Sequence, residues 1–256
     1  MNRTHSPLAD EASIYPYTAR SAVPARSLLV LAPHPDDEVF GCGGITALAL
    51  DAGASVNVVV VTDGGRGGDV AVREAESQQA ALALAGAAAP ATLAFWREGD
   101  RELRASEQLV LRLRACMAET RPDWVLVPSP NEIHPDHRTL CVAACAAFTR
   151  SFGNGSAARL VFYEVGQPLF PNTLVDITPV LARKRAAMNC FASQLQQQRY
   201  DEHVLALNRY RSYTLGAQVT HAEALHILRA EDLADGLGAL VARAGQDIVQ
   251  RLGLTG

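Results

Sequence analysis

Short apolar runs alternate with helical patterns along most of the chain, and this alternation constrains the fold more than any other feature. The runs have the length and the β-branched content of buried strands, and turn-forming residues bound them. The predicted strands are residues 27–33, 55–62, 91–96, 124–129 and 159–165. The predicted helices between them are residues 43–54, 69–86, 101–121 and 137–150.

Strands that lack an alternating polar face are typical of parallel sheets covered on both sides. The strand–helix rhythm therefore predicts an α/β fold, a Rossmann-like three-layer sandwich with a mostly parallel central sheet. From Pro179 onward the pattern is mainly helical, so we expect a helical C-terminal part. With 256 residues, no internal repeat and no clear linker, residues 26–256 are expected to form one domain. Residues 231–253 predict an extra C-terminal helix that packs on the body or mediates a homo-oligomer.

Charge and composition exclude several classes of protein. The net charge is −4, and no basic footprint for nucleic acid is visible. Residues 1–25 are a polar tail without the apolar core of a secretory signal, and no apolar run reaches the roughly 18 residues of a membrane helix. The five cysteines are widely spaced, which favours free thiols over a disulfide framework. We therefore expect a cytoplasmic protein.

Three segments rich in glycine or ionisable residues directly follow predicted strands. "HPDDE" (34–38) follows the first strand, "DGGRGG" (63–68) the second and "NEIHPDHR" (131–138) the fourth. In open α/β sheets, ligands bind at the carboxyl ends of the strands. These segments are therefore expected to line one site.

Two of these segments predict a metal site. His34 and Asp37 are three residues apart on a loop that enters a helix, so both can face one point, and His137 can join them from the other segment. Two imidazoles and one carboxylate suit Zn²⁺ with an open position for water, and they also accept Fe²⁺, Co²⁺ or Mn²⁺. "HPDD" alone also fits a capped turn, but two His-Pro-Asp segments at two strand ends favour a metal.

The neighbouring ionisable residues fit a hydrolytic reaction beside such a metal. Asp36 is a candidate to take a proton from the water that the metal activates. His134 is a candidate to stabilise the oxyanion on a carbonyl under attack, and Asp136 to orient a ligating histidine. Glu38 fits a supporting hydrogen bond or a helix N-terminal charge.

These segments resemble the PIG-L / LmbE-like N-acetylglucosaminyl deacetylases. The first motif of that family reads A-H-P-D-D-E before a glycine-rich turn, where this chain has "PHPDDEVFGCGG" with Pro33 in place of the alanine. The second family motif, H-P-D-H, is intact at residues 134–137. Further similarity at "VVVTDGG", "REAESQQAALALAG", "KRAAMNCFASQ" and "HAEAL" extends the resemblance over residues 27–228.

The resemblance implies removal of the N-acetyl group from an N-acetylglucosamine-type glycoside or glycoconjugate, which gives acetate and a free amine. His34, Asp37 and His137 would hold zinc. Asp36 would act as general base and then as acid for the leaving amine, and His134 would stabilise the oxyanion.

The resemblance also implies contacts with the substrate. Arg73 would reach it, and Asp100 would contact sugar hydroxyls. Arg66 stands in a turn where the family often has a glutamate, so the substrate preference of this chain is expected to differ there.

Other functions fit the sequence less well. A dinucleotide-binding dehydrogenase would use "GCGG" after the first strand, but the fingerprint requires a third glycine where the chain has Thr46. A non-catalytic carbohydrate-binding protein on the same fold would not need Asp36. A different metal-dependent amidase or esterase stays open, whereas a phosphoesterase prefers two metals or an arginine clamp.

Overall fold

One sheet of eight strands forms the centre of the protein. The computed structural model describes residue 15, residues 17–236 and residue 238. Across the sheet the strand order is β1-β7-β8-β6-β5-β2-β3-β4. β8 runs antiparallel to both of its neighbours, and all other pairs are parallel, which confirms the mostly parallel sheet. The strands are β1 (Thr18–Arg20), β2 (Ser27–Ala32), β3 (Ser55–Thr62), β4 (Thr92–Glu98), β5 (Trp124–Pro128), β6 (Arg159–Tyr163), β7 (Thr173–Asp176) and β8 (Ala222–Leu228).

Three of the helices, α3, α4 and α5, begin where the local sequence supplies a side-chain cap, and α5 also begins with a proline. The Asp69 carboxylate accepts the Val72 N–H before α3, and the Ser106 hydroxyl accepts the Leu109 N–H before α4. Short 3₁₀ helices lie at Thr178–Val180 and Ala230–Leu233. The α-helices are α1 (Asp37–Phe40), α2 (Gly43–Asp51), α3 (Val70–Ala85), α4 (Glu107–Thr120), α5 (Pro135–Ser151), α6 (Leu181–Met188), α7 (Ala192–Leu195) and α8 (Tyr200–Arg211).

Both faces of the sheet are buried, which explains the continuous apolar strands. On β2, Leu29 and Leu31 belong to one apolar cluster together with residues of α4 and α5. Leu28 and Val30, which point the other way, belong to a second cluster that includes residues of α2. The three-layer sandwich is therefore confirmed.

The late part of the chain differs from the prediction in one respect. The helices α6 to α8 lie where a helical part was expected, but β7 and β8 add two strands to the sheet. β8 was missed because its sequence, "AEALHIL", carries Glu223 and His226 within an otherwise apolar run. Antiparallel pairing with β6 and burial of Glu223 in an ion pair make this strand possible.

The two ends of the chain are described only in part. Residues 18–20, inside the segment 1–25 that was predicted as a polar tail, form the exposed edge strand β1 beside β7. Of the predicted helix 231–253, residues 231–233 complete the 3₁₀ helix Ala230–Leu233. Residues 239–253 of that helix, and residues 1–14 of the tail, lie outside the described residues. Within the described ranges, no helix has both the length and the hydropathy that crossing a bilayer requires.

The glycine-rich turn after α1 allows close packing. A Cβ atom on Gly41 would lie 2.4 Å from the Tyr163 ring, and one on Gly44 would lie 2.5 Å from Ile177 Cγ2. Both neighbours are fully buried. These glycines therefore serve the packing of α1 and α2 against the body of the protein, which disfavours a phosphate-binding role.

A buried ion pair joins β8 to α6 and α2. Lys184 Nζ lies 2.6 Å from Glu223 Oε1, and both side chains are almost completely buried. The two Glu223 oxygens accept the backbone N–H groups of Gly44 and Ile45, each at 2.8 Å. Lys184 also donates to the Phe40 carbonyl at 3.0 Å. The pair thus fixes both the end of α1 and the start of α2.

Removing one partner of this pair should cost more stability than replacing both. Lys184→Met leaves the Glu223 charge buried without its cation, so we expect the free energy of unfolding to fall by about 3–5 kcal/mol. The double variant Lys184→Met/Glu223→Gln should lose less, because no charge remains buried. Urea unfolding of the two variants measures the difference. A double variant less stable than Lys184→Met would contradict this account.

Candidate metal centre

Four loops meet at the carboxyl ends of four adjacent strands, β5, β2, β3 and β4. The chain continues from β2 through β3 to β4 on one side and returns with β5 on the other side of β2. Ligands of open α/β sheets bind at such a reversal of strand order. His34 follows β2 here, and His137 follows β5. The predicted site therefore lies where the topology favours it.

The three predicted metal ligands present one donor atom each to a common point. His34 Nδ1 lies 3.2 Å from Asp37 Oδ2, Asp37 Oδ2 lies 3.2 Å from His137 Nε2, and the two nitrogens lie 3.3 Å apart. All three residues are buried. A tetrahedral ion with ligands about 2.0–2.1 Å away separates its donor atoms by about 3.3 Å. The donor set and its spacing therefore fit a single zinc-type ion.

The opposite side of the His34 ring faces two further carboxylates. His34 Nε2 lies 3.2 Å from Asp136 Oδ2 and 3.4 Å from Asp100 Oδ1. These carboxylates accept the backbone N–H groups of Arg101, at 2.7 Å, and Arg66, at 3.0 Å. A carboxylate behind a histidine ligand fixes the orientation of the ring. The structure thus brings Asp136 to the position its predicted role requires, and it places Asp100 beside it.

Glu132 lies behind the other histidine, a placement that the sequence did not predict. Its carboxylate lies 3.5 Å from His137 Nδ1, on the far side of that ring from the three donor atoms. The same carboxylate accepts backbone N–H groups of Val165, Gly166 and Gln167, and the residue is almost fully buried. Its position five residues before His137, in the loop after β5, is the one feature of the sequence that could have indicated a place beside the histidines.

His134 lies at the edge of the same cluster. Its ring packs edge-on against His34, with the centroids 4.5 Å apart. Ring nitrogens of His34, His134 and His137 lie within 4.8 Å of one another, and so do donor atoms of His34, His134, Asp100 and Asp136. The donor atoms of His34, Asp37 and His137 are closer together, so we take those three as the candidate ligands.

Asp36 has an unusual backbone and a buried partner. Its φ is 139° and its ψ is −34°, a conformation that costs a non-glycine residue about 1–3 kcal/mol. Its carboxylate accepts a hydrogen bond of 2.9 Å from Arg73, which also donates to the carbonyls of Pro35 and Gly64. Arg73 lines the cleft but is only 3% exposed, and its expected contact with substrate stays a prediction.

The cluster shifts the proton affinities of its members. Burial, and then the neighbouring Asp37, raise the pKa of Asp36 to about 8 although Arg73 opposes the shift. Burial alone would lower the pKa of His137, but Asp37 outweighs it and raises the value to about 9. Burial alone would raise the pKa of Asp37, but His137 and His34 hold it well below its usual range. Without a metal, the positive charge opposite Asp37 is therefore carried by protons on histidines.

These shifts predict how the stability of the metal-free protein depends on pH. The pKa of His137 is about 9 in the folded state and about 6.5 when unfolded, so the folded state binds an extra proton between these values. Asp36 has a folded pKa of about 8, so it also binds an extra proton in the folded state between about pH 4 and pH 8. Stability should therefore fall as the pH rises from about 6.5 to 9, by up to about 1.4 kcal/mol per unit for each extra proton.

Urea unfolding of the chelator-treated protein between about pH 6 and pH 9 measures this slope. The double variant Asp36→Asn/His137→Gln removes two of the titrating groups and should have a flatter profile, although the raised pKa values of His34 and Glu38 leave part of the slope. An equal slope in the two proteins would show that other groups cause the dependence.

A cleft of about 680 Å³ opens over the three donor atoms, a size typical of small-molecule sites. A second groove of about 700 Å³, lined by residues of α4 and α5, has no histidine, cysteine or carboxylate among its lining residues. The chemistry is therefore expected in the first cleft. Its lining beyond the acidic and histidine cluster includes Phe40, Arg66, Arg101, Val165, Pro168, Gln194, Gln197, Tyr200 and Leu207.

Comparisons with known proteins found similar chains among enzymes. A diacetylchitobiose deacetylase from Thermococcus kodakarensis is 29% identical over 67% of this chain and 71% of its own length. A 4-oxalmesaconate hydratase from Pseudomonas putida is 28% identical over 67% of this chain and 75% of its own. A probable N-acetyl-alpha-D-glucosaminyl L-malate deacetylase 2 from Bacillus cereus is 25% identical over 72% of this chain and 90% of its own length.

A solved structure and a family model extend the comparison. The structure of the conserved protein TT1542 from Thermus thermophilus is 30% identical, covers 78% of this chain and 93% of its own, and superposes with a TM-score of 0.70. The family model described as PIG-L, GlcNAc-PI de-N-acetylase, matches residues 29–148, which contain both His-Pro-Asp segments. The predicted resemblance is thereby confirmed, and the chain belongs to the PIG-L family.

Proposed function

We propose that the protein is a zinc-dependent hydrolase that removes the N-acetyl group from an N-acetylglucosamine-type glycoside or glycoconjugate. The observation that carries this proposal is the triangle of donor atoms from His34, Asp37 and His137, with the carboxylate of Asp36 in the same cleft. Two relatives named as a diacetylchitobiose deacetylase and a probable N-acetyl-alpha-D-glucosaminyl L-malate deacetylase support it.

Zinc is the metal that we propose for the three ligands, although two imidazoles and a carboxylate also accept Fe²⁺, Co²⁺ or Mn²⁺. A bound zinc ion supplies a Lewis acid and lowers the pKa of a coordinated water to about 7. The chain supplies the orientation of the ligands. Asp136 fixes the ring of His34, Asp100 lies beside it, and Glu132 lies behind His137.

Asp36 is the general base in this proposal and then the acid for the leaving amine. Its side chain is partly exposed to the cleft, and the hydrogen bond from Arg73 holds one carboxylate oxygen, which leaves the other free to exchange a proton. In the metal-free protein burial raises the pKa of Asp36 and a bound cation would lower it again, which brings the value toward the neutral range that suits a group that must both take and return a proton. Hydrolysis of an amide requires both transfers.

In this proposal His134 stabilises the oxyanion as a neutral donor. Its Nδ1 accepts the backbone N–H of Asp136 at 3.2 Å, so in the neutral ring the proton must be on Nε2. Burial, and then the neighbouring histidines, lower the pKa of His134, which favours the neutral form. A neutral Nε2–H at the edge of the cluster can donate to a carbonyl oxygen that becomes negative.

An acetate-release screen tests the proposal. The zinc-loaded protein is incubated with N-acetylglucosaminides that carry neutral, acidic and lipid aglycones, and free acetate and free amine are both quantified. We expect equal amounts of the two products from at least one substrate. Absence of both products from every substrate class would contradict the proposal.

A second candidate is the hydration of an unsaturated carboxylate. Arg66 and Arg101 line the cleft, and their backbone N–H groups bind the carboxylates behind His34, so two guanidinium-bearing residues lie beside the metal centre. The relative named as a 4-oxalmesaconate hydratase gives this observation weight. Loss of the ultraviolet absorbance of an unsaturated dicarboxylate, without acetate release, would favour this candidate over the first.

A further inference from the structure

Glu38 is the one acidic residue of the first motif that the proposed chemistry leaves without a role. It lies in α1, and its side chain is buried. Its Oε2 accepts the backbone N–H of Asp36 at 2.9 Å. Asp36 is the residue with the strained backbone, at φ 139°. Glu38 therefore contacts the peptide group whose conformation sets the direction of the Asp36 side chain.

The other oxygen of this carboxylate faces a small internal cavity. Glu38 Oε1, Thr46 Oγ1 and Ser77 Oγ are buried and have no hydrogen-bond partner within the described part of the chain. The three residues are 5%, 3% and 1% exposed. All three line one cavity with room of about 10 Å³ for the centre of a water-sized sphere. The remaining lining is apolar and consists of Val39, Val58, Ala81, Leu84, Ala91 and Leu93.

A cavity of this kind suits one water molecule. A buried water needs about 10–15 Å³ of such space and two to four polar partners, and this cavity offers a carboxylate oxygen and two hydroxyls. Buried polar atoms that stay unpaired are rare in folded proteins, whereas a cavity without polar atoms stays dry. Apart from the Ser77 hydroxyl, which opposes the rise that burial causes in the Glu38 pKa, the surroundings bring no competing donor, so the water would hold the free oxygen of Glu38.

We propose that Glu38 is a positioning residue for Asp36, and that a single buried water bound by Glu38, Thr46 and Ser77 holds Glu38 in place. This inference rests on the proposed function in so far as Asp36 acts on the substrate. The water completes a chain of contacts from α2 and α3, which carry Thr46 and Ser77, to the backbone of Asp36. The strained turn is thus supported from inside the protein.

Kinetics of four variants test the positioning role. Glu38→Ala removes the acceptor for the Asp36 N–H, so kcat should fall about 10- to 100-fold while KM and the metal bound per chain stay unchanged. Glu38→Gln keeps an oxygen acceptor and should recover kcat to within about threefold. Thr46→Val/Ser77→Ala removes only the partners of the water and should lower kcat about three- to tenfold. Thr173→Val, a buried threonine on β7, is the matched control and should leave kcat unchanged.

Several results would overturn the proposal. A Glu38→Ala variant with kcat within about twofold of wild type would remove the positioning role. Loss of bound metal in that variant would show that Glu38 supports the ligands instead. If Glu38→Ala does not fold, the Thr46→Val/Ser77→Ala variant decides, because it changes no charge and little volume.

A structural readout separates this inference from the proposed function. A high-resolution crystal structure of the wild-type protein should contain one water within hydrogen-bond distance of Glu38, Thr46 and Ser77. The Thr46→Val/Ser77→Ala structure should lack it, and in Glu38→Ala the φ of Asp36 should leave the positive region. A wild-type structure without this water would refute the inference. If the wild-type protein releases no acetate, the proposed function fails, and these structures still decide the role of Glu38.

Discussion

Asp36→Asn is expected to lower kcat for acetate release by roughly three to four orders of magnitude while zinc stays bound. The asparagine keeps the shape of the side chain but can neither take the proton from the attacking water nor return it to the leaving amine. None of the three donor atoms of the candidate ligands belongs to this side chain. The measurement is single-turnover and steady-state kinetics with zinc content determined on the same sample.

Asp176→Asn is the matched control for this substitution. Its carboxylate accepts the Thr178 N–H at 2.8 Å next to β7, and an asparagine oxygen can replace it there. Its rate should therefore equal that of the wild type. A rate for Asp36→Asn within about tenfold of the wild type would show that another group performs the proton transfers.

His34→Ala is expected to abolish both metal binding and activity. His34 provides one of three donor atoms, and a site reduced to Asp37 and His137 keeps too few ligands for a tetrahedral zinc ion. Zinc content should fall from about one per chain to near zero after dialysis, and acetate release should fall to the background rate. Elemental analysis after dialysis measures the zinc content, and the acetate assay measures the rate of acetate release.

Two further variants make this result specific. His226→Ala removes a histidine of β8 whose ring bonds only to the Phe170 carbonyl within the described chain, and it should keep the metal. Asp136→Asn changes the carboxylate behind His34 and should weaken zinc binding by about 10- to 100-fold without abolishing it. Stoichiometric zinc in dialysed His34→Ala would remove His34 from the ligand set.

The sequence predicts the part of the fold in which local pattern and final environment agree. β2 and β3 are mostly apolar because helices cover both faces of the sheet, so their bounds are almost those that the apolar runs predict. β8 is different, since the burial of Glu223 depends on Lys184, 39 residues away along the chain. No local pattern indicates that a charged residue lies in the middle of a sheet when its partner belongs to another element.

The same reasoning applies to the candidate site. His34, Asp37 and His137 could be proposed as candidate ligands because they lie in two short motifs at two predicted strand ends. The position of Arg73 could not be predicted in this way, because its guanidinium is buried between the Pro35 and Gly64 carbonyls rather than free in the cleft. That arrangement depends on how α3 packs against the loop after β2, which the sequence of either segment alone does not show.

The ion pair of Lys184 and Glu223 has a consequence for biosynthesis. A nascent chain that has emerged as far as residue 150 already contains all three candidate metal ligands, but not the acceptor for the Gly44 and Ile45 N–H groups. That acceptor lies 179 residues after Gly44, in β8, the last of the described strands along the chain. The start of α2, which follows the turn with His34 and Asp37, therefore receives its acceptor only after β8 has been synthesised. Metal loading of a rigid site is consequently expected only after β8 has joined the sheet.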